Sequence, residues 1–325
     1  MENGGHVMHL SGGHWMPLLG YGTWRVGKGA VGQLVDWAIA EEGYRHIDCA
    51  SLYNNEHDVG RALARLLQNQ PAATTAAPPP RTTPHGGDGD GDGVGDGPQK
   101  VARDELFITS KLWNTHHRRE LVFQACRKSL QDLRLEYLDL YLMHWPVAMV
   151  PNARPPLRKG RFLRDEYIDT QTSLRETWLA MEELVARGWV KSIGVSNFTV
   201  RQLEHVLSFA SIPPAVNQIE MHPYLLQPDL LHFCRQHNIV GKELLADETV
   251  VALAERKGRT PAQVVLRWGL EHGAVVIPRT EQRAHMRANA DVFSFSLAPA
   301  EMAQLDALHR DRRYITGWVR DQWTS

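Results

Sequence analysis

A parallel α/β barrel is the fold this sequence predicts, and three observations carry that expectation. Short apolar, β-branched runs alternate with amphipathic helical patterns along almost the whole chain, the pattern of strands covered by helices. The alternation repeats eight times, which in 325 residues suits a closed (β/α)8 barrel better than an open sheet. The open doubly wound alternative calls for a GxGxxG turn after the first strand. Here "GYGTWRVG" has two glycines at the right spacing but Arg25 in the third place.

The elements follow in order. "LLGYGTW" is the first strand and "AVGQLVDWAIAEEG" its helix, ended by Gly43 as a C-cap. Strand "YRHIDCA" precedes helix "NEHDVGRALARLL", and strand "ELFITSKLW" precedes helix "RRELVFQACRKSLQDL". "LDLYLMHW" runs through a long loop into "LRETWLAMEELVARG". Strand "VKSIGVSNF" with helix "VRQLEHVLSFA", then strand "AVNQIEMH" with helix "PDLLHFCRQHN", make the fifth and sixth units. The seventh strand is cut to "IVG" ahead of helices in "DETVVALAERKG" and "TPAQVVLRWGLEHG", so the barrel is expected to be incomplete there. "AVVIPR" and a helix through "QRAHMRANADVF" complete the eight, and "APAEMAQLDALH" lies outside the alternation.

Residues 68–100 break the rhythm. "QNQPAATTAAPPPRTTPHGGDGDGDGVGDGPQK" is rich in Pro, Gly, Thr and Asp and reads as a disordered insertion in a single barrel domain spanning 1–325. "DGDGDG" lacks the terminal Glu and the repeat of a calcium loop, so a flexible acidic linker is the better reading. It falls between a helix and the next strand, the barrel face opposite the strand ends that carry chemistry.

Composition excludes several function classes. A net charge of −1 and a pI near 7.0 steer the chain to neither nucleic acid nor anionic membrane. Three separated cysteines (Cys49, Cys126, Cys234) suit a reducing compartment and make neither a disulfide scaffold nor a metal site. No apolar run reaches the ~20 residues needed to span a bilayer, and the N-terminus lacks the apolar core of a secretory signal. The expectation is a cytoplasmic monomer acting on a small molecule.

In such a barrel the residues just after each strand converge on one face. In order these are Asp48, Lys111, His144, Ser196 with Asn197, Gln218 and Arg279, with Tyr53 just beyond Asp48. A tyrosine beside a lysine suits a general acid, because a neighbouring ammonium stabilises phenolate and lowers the phenol pKa. Asp48 would orient Lys111, and His144 would hydrogen-bond a substrate oxygen. Each has a bland alternative: Asp48 as a cap of the helix near Asn55, Tyr53 as an interface aromatic, His144 as a satisfied core histidine. Their convergence on one barrel end favours catalysis.

The same stretches carry a resemblance. "DCASLYNNE", "ITSKLWN", "LMHWP", "IGVSNF", "VNQIEMHPY" and "VIPRT" resemble, in order, the motifs of the aldo-keto reductase superfamily, and "GGHWMPLLGYGTW" resembles its N-terminal hairpin and first strand. The resemblance covers nearly all of the chain outside 68–100. It implies NADPH-dependent reduction of an aldehyde or ketone, with Asp48, Tyr53, Lys111 and His144 as the catalytic tetrad and Tyr53 as proton donor. It also implies a cofactor site at Gly22, Thr23, Trp24, Asp48, Ser196, Asn197 and Gln218, with Arg279, Thr280 and Asn289 toward the adenosine end. The family's "IPKS" is "IPRT" here, and its second arginine falls on His285, which weakens the preference for NADP over NAD without removing it. Trp24, Trp113 and Trp145 match the aromatic walls of the family's substrate pocket.

One departure stands out. After the equivalent of "HNIV", family members carry a segment resembling "TAYSPLGS", whose tyrosine stacks on the nicotinamide and whose turn closes over the pyrophosphate. This chain passes from Val240 straight to "GKELLADETV". The leading expectation is still a carbonyl reductase. The alternatives are a non-catalytic, dinucleotide-binding or regulatory barrel, and an inactive splice or gene-model variant.

Overall fold

The computed structural model describes residues 6–67, 100–154, 164–239 and 248–315. A two-stranded antiparallel hairpin, β1 (Val7–His9) and β2 (Trp15–Pro17), comes first. Six parallel strands follow in strict chain order: β3 (Tyr21–Gly22), β4 (His46–Asp48), β5 (Phe107–Leu112), β6 (Leu138–Met143), β7 (Val190–Ser196) and β8 (Asn217–Gln218). Helices alternate with them: α1 (Lys28–Asp36), α2 (Glu56–Leu66), α3 (Arg119–Leu133), α4 (Leu174–Ala186), α5 (Val200–Leu207) and α6 (Pro228–Gln236). Beyond them lie α7 (Glu248–Lys257), α8 (Pro261–Glu271), α9 (Arg283–Ala290) and α10 (Pro299–Asp306). Consecutive parallel neighbours joined by helices are the curled sheet of a (β/α)8 barrel.

Local sequence explains where the helices start. Ser173 caps α4 by accepting from the Glu176 amide. Thr199 with Gln202 and Thr260 with Gln263 form reciprocal capping boxes at α5 and α8, and Pro261 occupies the first turn of α8, where a missing N–H costs nothing. Helix α1 passes into a wider turn over Trp37–Glu41, and Gly43, at φ +73°, supplies the left-handed exit expected of it.

Side chains on a strand alternate between faces, and this sorts the core into two layers. On β6, Tyr141 and Met143 pack outward under the helices, while Leu140 and Leu142 join an inner cluster with Phe107, Val216, Val275 and Ile277. On β5, Ile108 and Leu112 face the helices, which puts Phe107, Thr109 and Lys111 on the inner face. His46 and Asp48 share the inner face of β4 by the same count, since Ile47 belongs to the outer core. Met16 of β2 and Leu10 join the inner cluster against Phe107, the first residue of β5, so the hairpin plugs the N-terminal end of the sheet. Apolar side chains fill that end and polar ones are left for the other. At Gly194 on β7 an added Cβ would sit 2.6 Å from the Val216 carbonyl oxygen, so only glycine lets these strands approach.

Two strand expectations need correction. "AVVIPR" does not form a regular strand. It pairs with the first barrel strand through a single bridge, Leu19 to Val276, supported by Val276 N to Leu18 O (2.8 Å), Gly20 N to Val276 O (2.9 Å) and Gly22 N to Pro278 O (3.0 Å). Pro278 has no N–H for the next rung, which ends the ladder. β8 is likewise two residues rather than the length of "AVNQIEMH". Among the described residues it has a strand partner only in β7. The junction after Val240 lies outside the described residues, as do 68–99 of the segment read as disordered. Its flanks do meet: Leu67 bridges Val101 in parallel, with Val101 N to Leu66 O at 2.9 Å. This contact is at the entry to β5, the end opposite the polar one. Arg103, buried against Asp139 at 2.7 Å, fixes the chain as it returns.

Candidate active site

The polar end is assembled from the last residues of successive strands. Asp48 ends β4, Lys111 is the penultimate residue of β5, His144 follows β6, Ser196 ends β7 with Asn197 next, and Gln218 ends β8. Lys111 is fully buried. Its ammonium donates to Asp48 Oδ2 (2.8 Å), to the Cys49 carbonyl (2.8 Å) and to Tyr53 Oη (3.2 Å). The other Asp48 oxygen accepts from Gln218 Nε2 at 2.8 Å. Asp48 therefore binds its neighbours inside the barrel, and the helix-cap alternative does not hold.

Tyr53 comes from a short 3-10 turn, Ser51–Tyr53, closed by Asn54 in the left-handed region at φ +55°. Ser51 Oγ pins that turn by donating to the Lys111 carbonyl at 3.1 Å. The Tyr53 ring meets the His144 ring edge-on at 5.9 Å, and the Trp113 ring meets the same His144 ring edge-on at 5.4 Å. Asn197, at φ +63°, donates Nδ2 to the His144 carbonyl and to Ser196 Oγ, both at 3.0 Å. Ser196 Oγ in turn donates to the Gln218 carbonyl at 2.7 Å. Thr23 is buried with its hydroxyl on the Asp48 carbonyl (2.9 Å). One hydrogen-bonded set thus includes Thr23, Asp48, Tyr53, Lys111 and Gln218, and a second joins His144, Ser196 and Asn197 to it through the Gln218 backbone.

The electrostatics differ from the sequence expectation in one respect. Tyr53 was expected to be acidified by Lys111. Instead, burial outweighs the ammonium and pushes the phenol up to about 12. The residue as a whole is half-buried, but its hydroxyl end lies against fully buried Lys111. Burial also works against the Lys111 charge, yet Asp48 and Tyr53 outweigh it and hold the ammonium above the usual lysine range. Burial first, and the Lys111 charge second, lower His144 to about 3, so its imidazole is neutral. Its Nδ1 has no hydrogen-bond partner among the described residues, which sets it apart from a satisfied core histidine.

The remaining expected residues are spread more widely. Gly22 N donates to the Pro278 carbonyl, and Tyr21 Oη to the Thr280 carbonyl at 2.8 Å. Arg279 donates to the Arg25 carbonyl at 2.8 Å and pairs with Glu281, joining the turn after β3 to the segment just past Pro278. Asn289 is buried on α9, whereas His285 on the same helix is exposed. Trp145 is buried with Val147 and Met149, and Trp113 packs against that cluster. Trp24 is 41% exposed, with the Arg25 guanidinium 4.4 Å over its ring.

Two contributors escaped the sequence reading. Asn55 precedes a helix with acidic residues in its first turn, which looks like an N-cap. Its side chain instead reaches back to the Thr23 and Val26 carbonyls (2.9 and 3.2 Å) and ties the turns after the first two strands together. Glu56 is buried and accepts from the Ser110 and Ser129 hydroxyls, and burial raises its pKa. A charged residue opening an amphipathic helix gives no sequence signal that it faces inward.

Comparison with known proteins gives this geometry its context. A profile described as "Aldo/keto reductase family" matches residues 18–241 and 240–310, two segments that meet at Val240 and Gly241. Aldo-keto reductase family 1 member A1 of Rattus norvegicus is 42% identical over 330 residues, covering 95% of this chain and 91% of that protein. The Homo sapiens protein of the same name is 41% identical, covering 94% and 90%. A solved structure, the aldose reductase from Schistosoma japonicum, superposes with a TM-score of 0.79 at 34% identity, covering 95% of this chain and 94% of that one. The match runs through every strand end described above, and the chain belongs to the aldo/keto reductase family.

Proposed function

We propose that this protein reduces aldehydes or ketones to alcohols with NADPH, and that Tyr53 delivers the proton. The observation that carries this is the Lys111 ammonium held between Asp48 and the Tyr53 hydroxyl beside a neutral His144. When bound, NADPH would supply the hydride for the carbonyl carbon. Tyr53 gives its phenolic proton to the carbonyl oxygen as that oxygen becomes an alkoxide, a stronger base than phenolate even with the phenol at about 12. Lys111 stabilises the phenolate left behind, and Asp48 keeps Lys111 charged and aimed. Neutral His144 hydrogen-bonds the substrate oxygen and orients the carbonyl without competing as an acid.

The residues fit the cofactor. A carboxamide needs donors and acceptors together. Asn197 and Gln218 commit their amide nitrogens inward, to His144 O and Asp48 Oδ1, which leaves Oδ1 and Oε1 as the acceptors of the pair. Gly22, Thr23 and Trp24 form the turn beside them. Arg279 would take the adenosine 2′-phosphate, for which a guanidinium is suited, with Thr280 and Asn289 nearby in sequence. Arg279, the arginine of the "IPRT" stretch, carries the NADP preference in this reading and would exchange its Glu281 partner for the phosphate. Trp24, Trp113 and Trp145 line the approach for an apolar carbonyl compound.

We read the chain as one barrel domain interrupted by 68–100, a cytoplasmic monomer with a small-molecule partner. Among the described residues no helix is long and apolar enough to cross a membrane. The missing "TAYSPLGS"-like segment after Val240 weakens cofactor binding and slows turnover without removing the tetrad. Tyr53→Phe tests the assignment: carbonyl reduction, followed as NADPH consumption with an aromatic aldehyde, should fall by about 10²-fold or more while NADPH binding stays near wild type. Wild-type turnover in that variant would overturn the role given to Tyr53.

A further inference from the structure

Glu220 lies two residues beyond Gln218, on the same strand-end side, and is almost entirely buried. Its Oε1 accepts from the Tyr314 amide (2.7 Å) and from His222 Nε2 (2.9 Å), and its Oε2 accepts from the Ile315 amide (2.8 Å). An ionised carboxylate only accepts, so His222 carries its hydrogen on Nε2, and its Nδ1 has no partner among the described residues. Burial opposes the charge on Glu220, but these three hydrogen bonds outweigh it and hold the carboxyl below its usual range. A buried carboxylate ligated by two consecutive backbone amides from a segment nearly a hundred residues away is a latch.

The rest of the contact surface supports that reading. The amides of Arg310 and Arg312 both donate to the Tyr224 carbonyl (3.3 and 3.0 Å). The Arg310 guanidinium stacks over the Tyr224 ring at 3.6 Å. Arg313 donates to Gln227 Oε1 (2.9 Å), while Gln227 Nε2 donates to the Glu220 carbonyl (2.6 Å). The strap formed by residues 309–315 therefore lies along the loop that follows β8. Ile315, held at its amide by Glu220, packs into the cluster of Trp113 and Trp145. Trp113 touches the ring of His144.

We propose that Glu220, supported by His222, is a positioning residue for substrate: it fixes the strap so that Ile315 completes the apolar wall beside Trp113. The role concerns binding of the carbonyl compound and rests on the carbonyl-reductase reading above. Its loss should raise KM for a bulky apolar aldehyde and leave the chemical step, carried by Tyr53 and Lys111, nearly unchanged.

The test compares the full-length wild type with Glu220→Gln and Ile315→Ala. Glu220→Gln keeps the shape but replaces one acceptor with an NH2 that faces a backbone N–H. With 4-nitrobenzaldehyde and NADPH, KM should rise about tenfold in both variants, the discrimination a single lost aliphatic contact gives, with kcat within about threefold. Hydrogen exchange should quicken at the Tyr314 and Ile315 amides in Glu220→Gln, and at neither in Ile315→Ala. A kcat loss equal to the KM rise, or unchanged exchange in Glu220→Gln, overturns the proposal. Were the wild type to consume no NADPH with any aldehyde, the carbonyl-reductase reading and the KM role would fall together, and exchange would decide the latch alone. If Glu220→Gln does not fold, His222→Gln, which loosens the carboxylate without touching the amide contacts, must show the same exchange increase or the proposal fails.

Discussion

Replacing Asp48 with Asn probes the charge balance on which the site depends. The two carboxylate oxygens are divided between two donors, Oδ2 to the Lys111 ammonium and Oδ1 to the Gln218 amide, each at 2.8 Å. An amide offers one oxygen and one NH2, so in either orientation a donor faces a donor. Lys111 has no exposed surface and Asp48 only 3%, so water cannot restore the lost partner. Removing one member of a buried pair costs ~3–5 kcal/mol. Lys111 keeps the Cys49 carbonyl and Tyr53 Oη, which places the expected loss near the lower end, about 3 kcal/mol. For a chain of this size that corresponds to a Tm lowered by roughly 4–5 °C, measured by circular dichroism. Turnover should fall further than stability alone explains, by about 10²-fold, because the ammonium that stabilises the Tyr53 phenolate loses its orientation and part of its charge. A Tm within about one degree of wild type would refute the reasoning, since it would mean the buried ammonium does not depend on Asp48.

The pH profile of single-turnover reduction should be flat from about pH 5 to about pH 10, falling above as Tyr53 loses the proton it must donate (pKa about 12) and below as His144 gains one (pKa about 3). An alkaline limb beginning near neutrality would show that Lys111 overcomes burial after all. Replacing residues 68–100 with a flexible Gly/Ser linker long enough to cross between the parallel flanks should leave Tm within a few degrees and turnover within about twofold of wild type, because Leu67 and Val101 already meet at the end opposite the polar one; a large drop in Tm would mean that the segment packs on the barrel. Inserting "TAYSPLGSG" between Val240 and Gly241 should raise both NADPH affinity, read by fluorescence titration, and turnover, since an aromatic platform alone contributes ~0.5–1.5 kcal/mol beyond its buried area. Equal affinity and rate in the two chains would show that the stretch is not needed.

Much of this protein is legible in the sequence because local rules govern it. Alternation of strand and helix patterns gave the parallel sheet and its order, and Gly43 marked a helix end through the same backbone chemistry that the structure shows. The position of Lys111 at the end of its strand pattern already put it with Asp48 and His144. What sequence could not supply is anything that depends on how far apart two groups stand or how much water they keep. The sign of the shift on Tyr53 is one case: the ammonium next to it was foreseeable, but the balance between its charge and the lost hydration is set by the packing of the whole barrel end. Asn55 is another, since an asparagine before a helix reads as a cap until the Thr23 and Val26 carbonyls are folded against it. Glu220 is a third. Its partners, the Tyr314 and Ile315 amides, are backbone groups that carry no residue identity, so only the tertiary fold, by returning the chain across the strand ends, decides that this carboxylate is bound and what it holds in place.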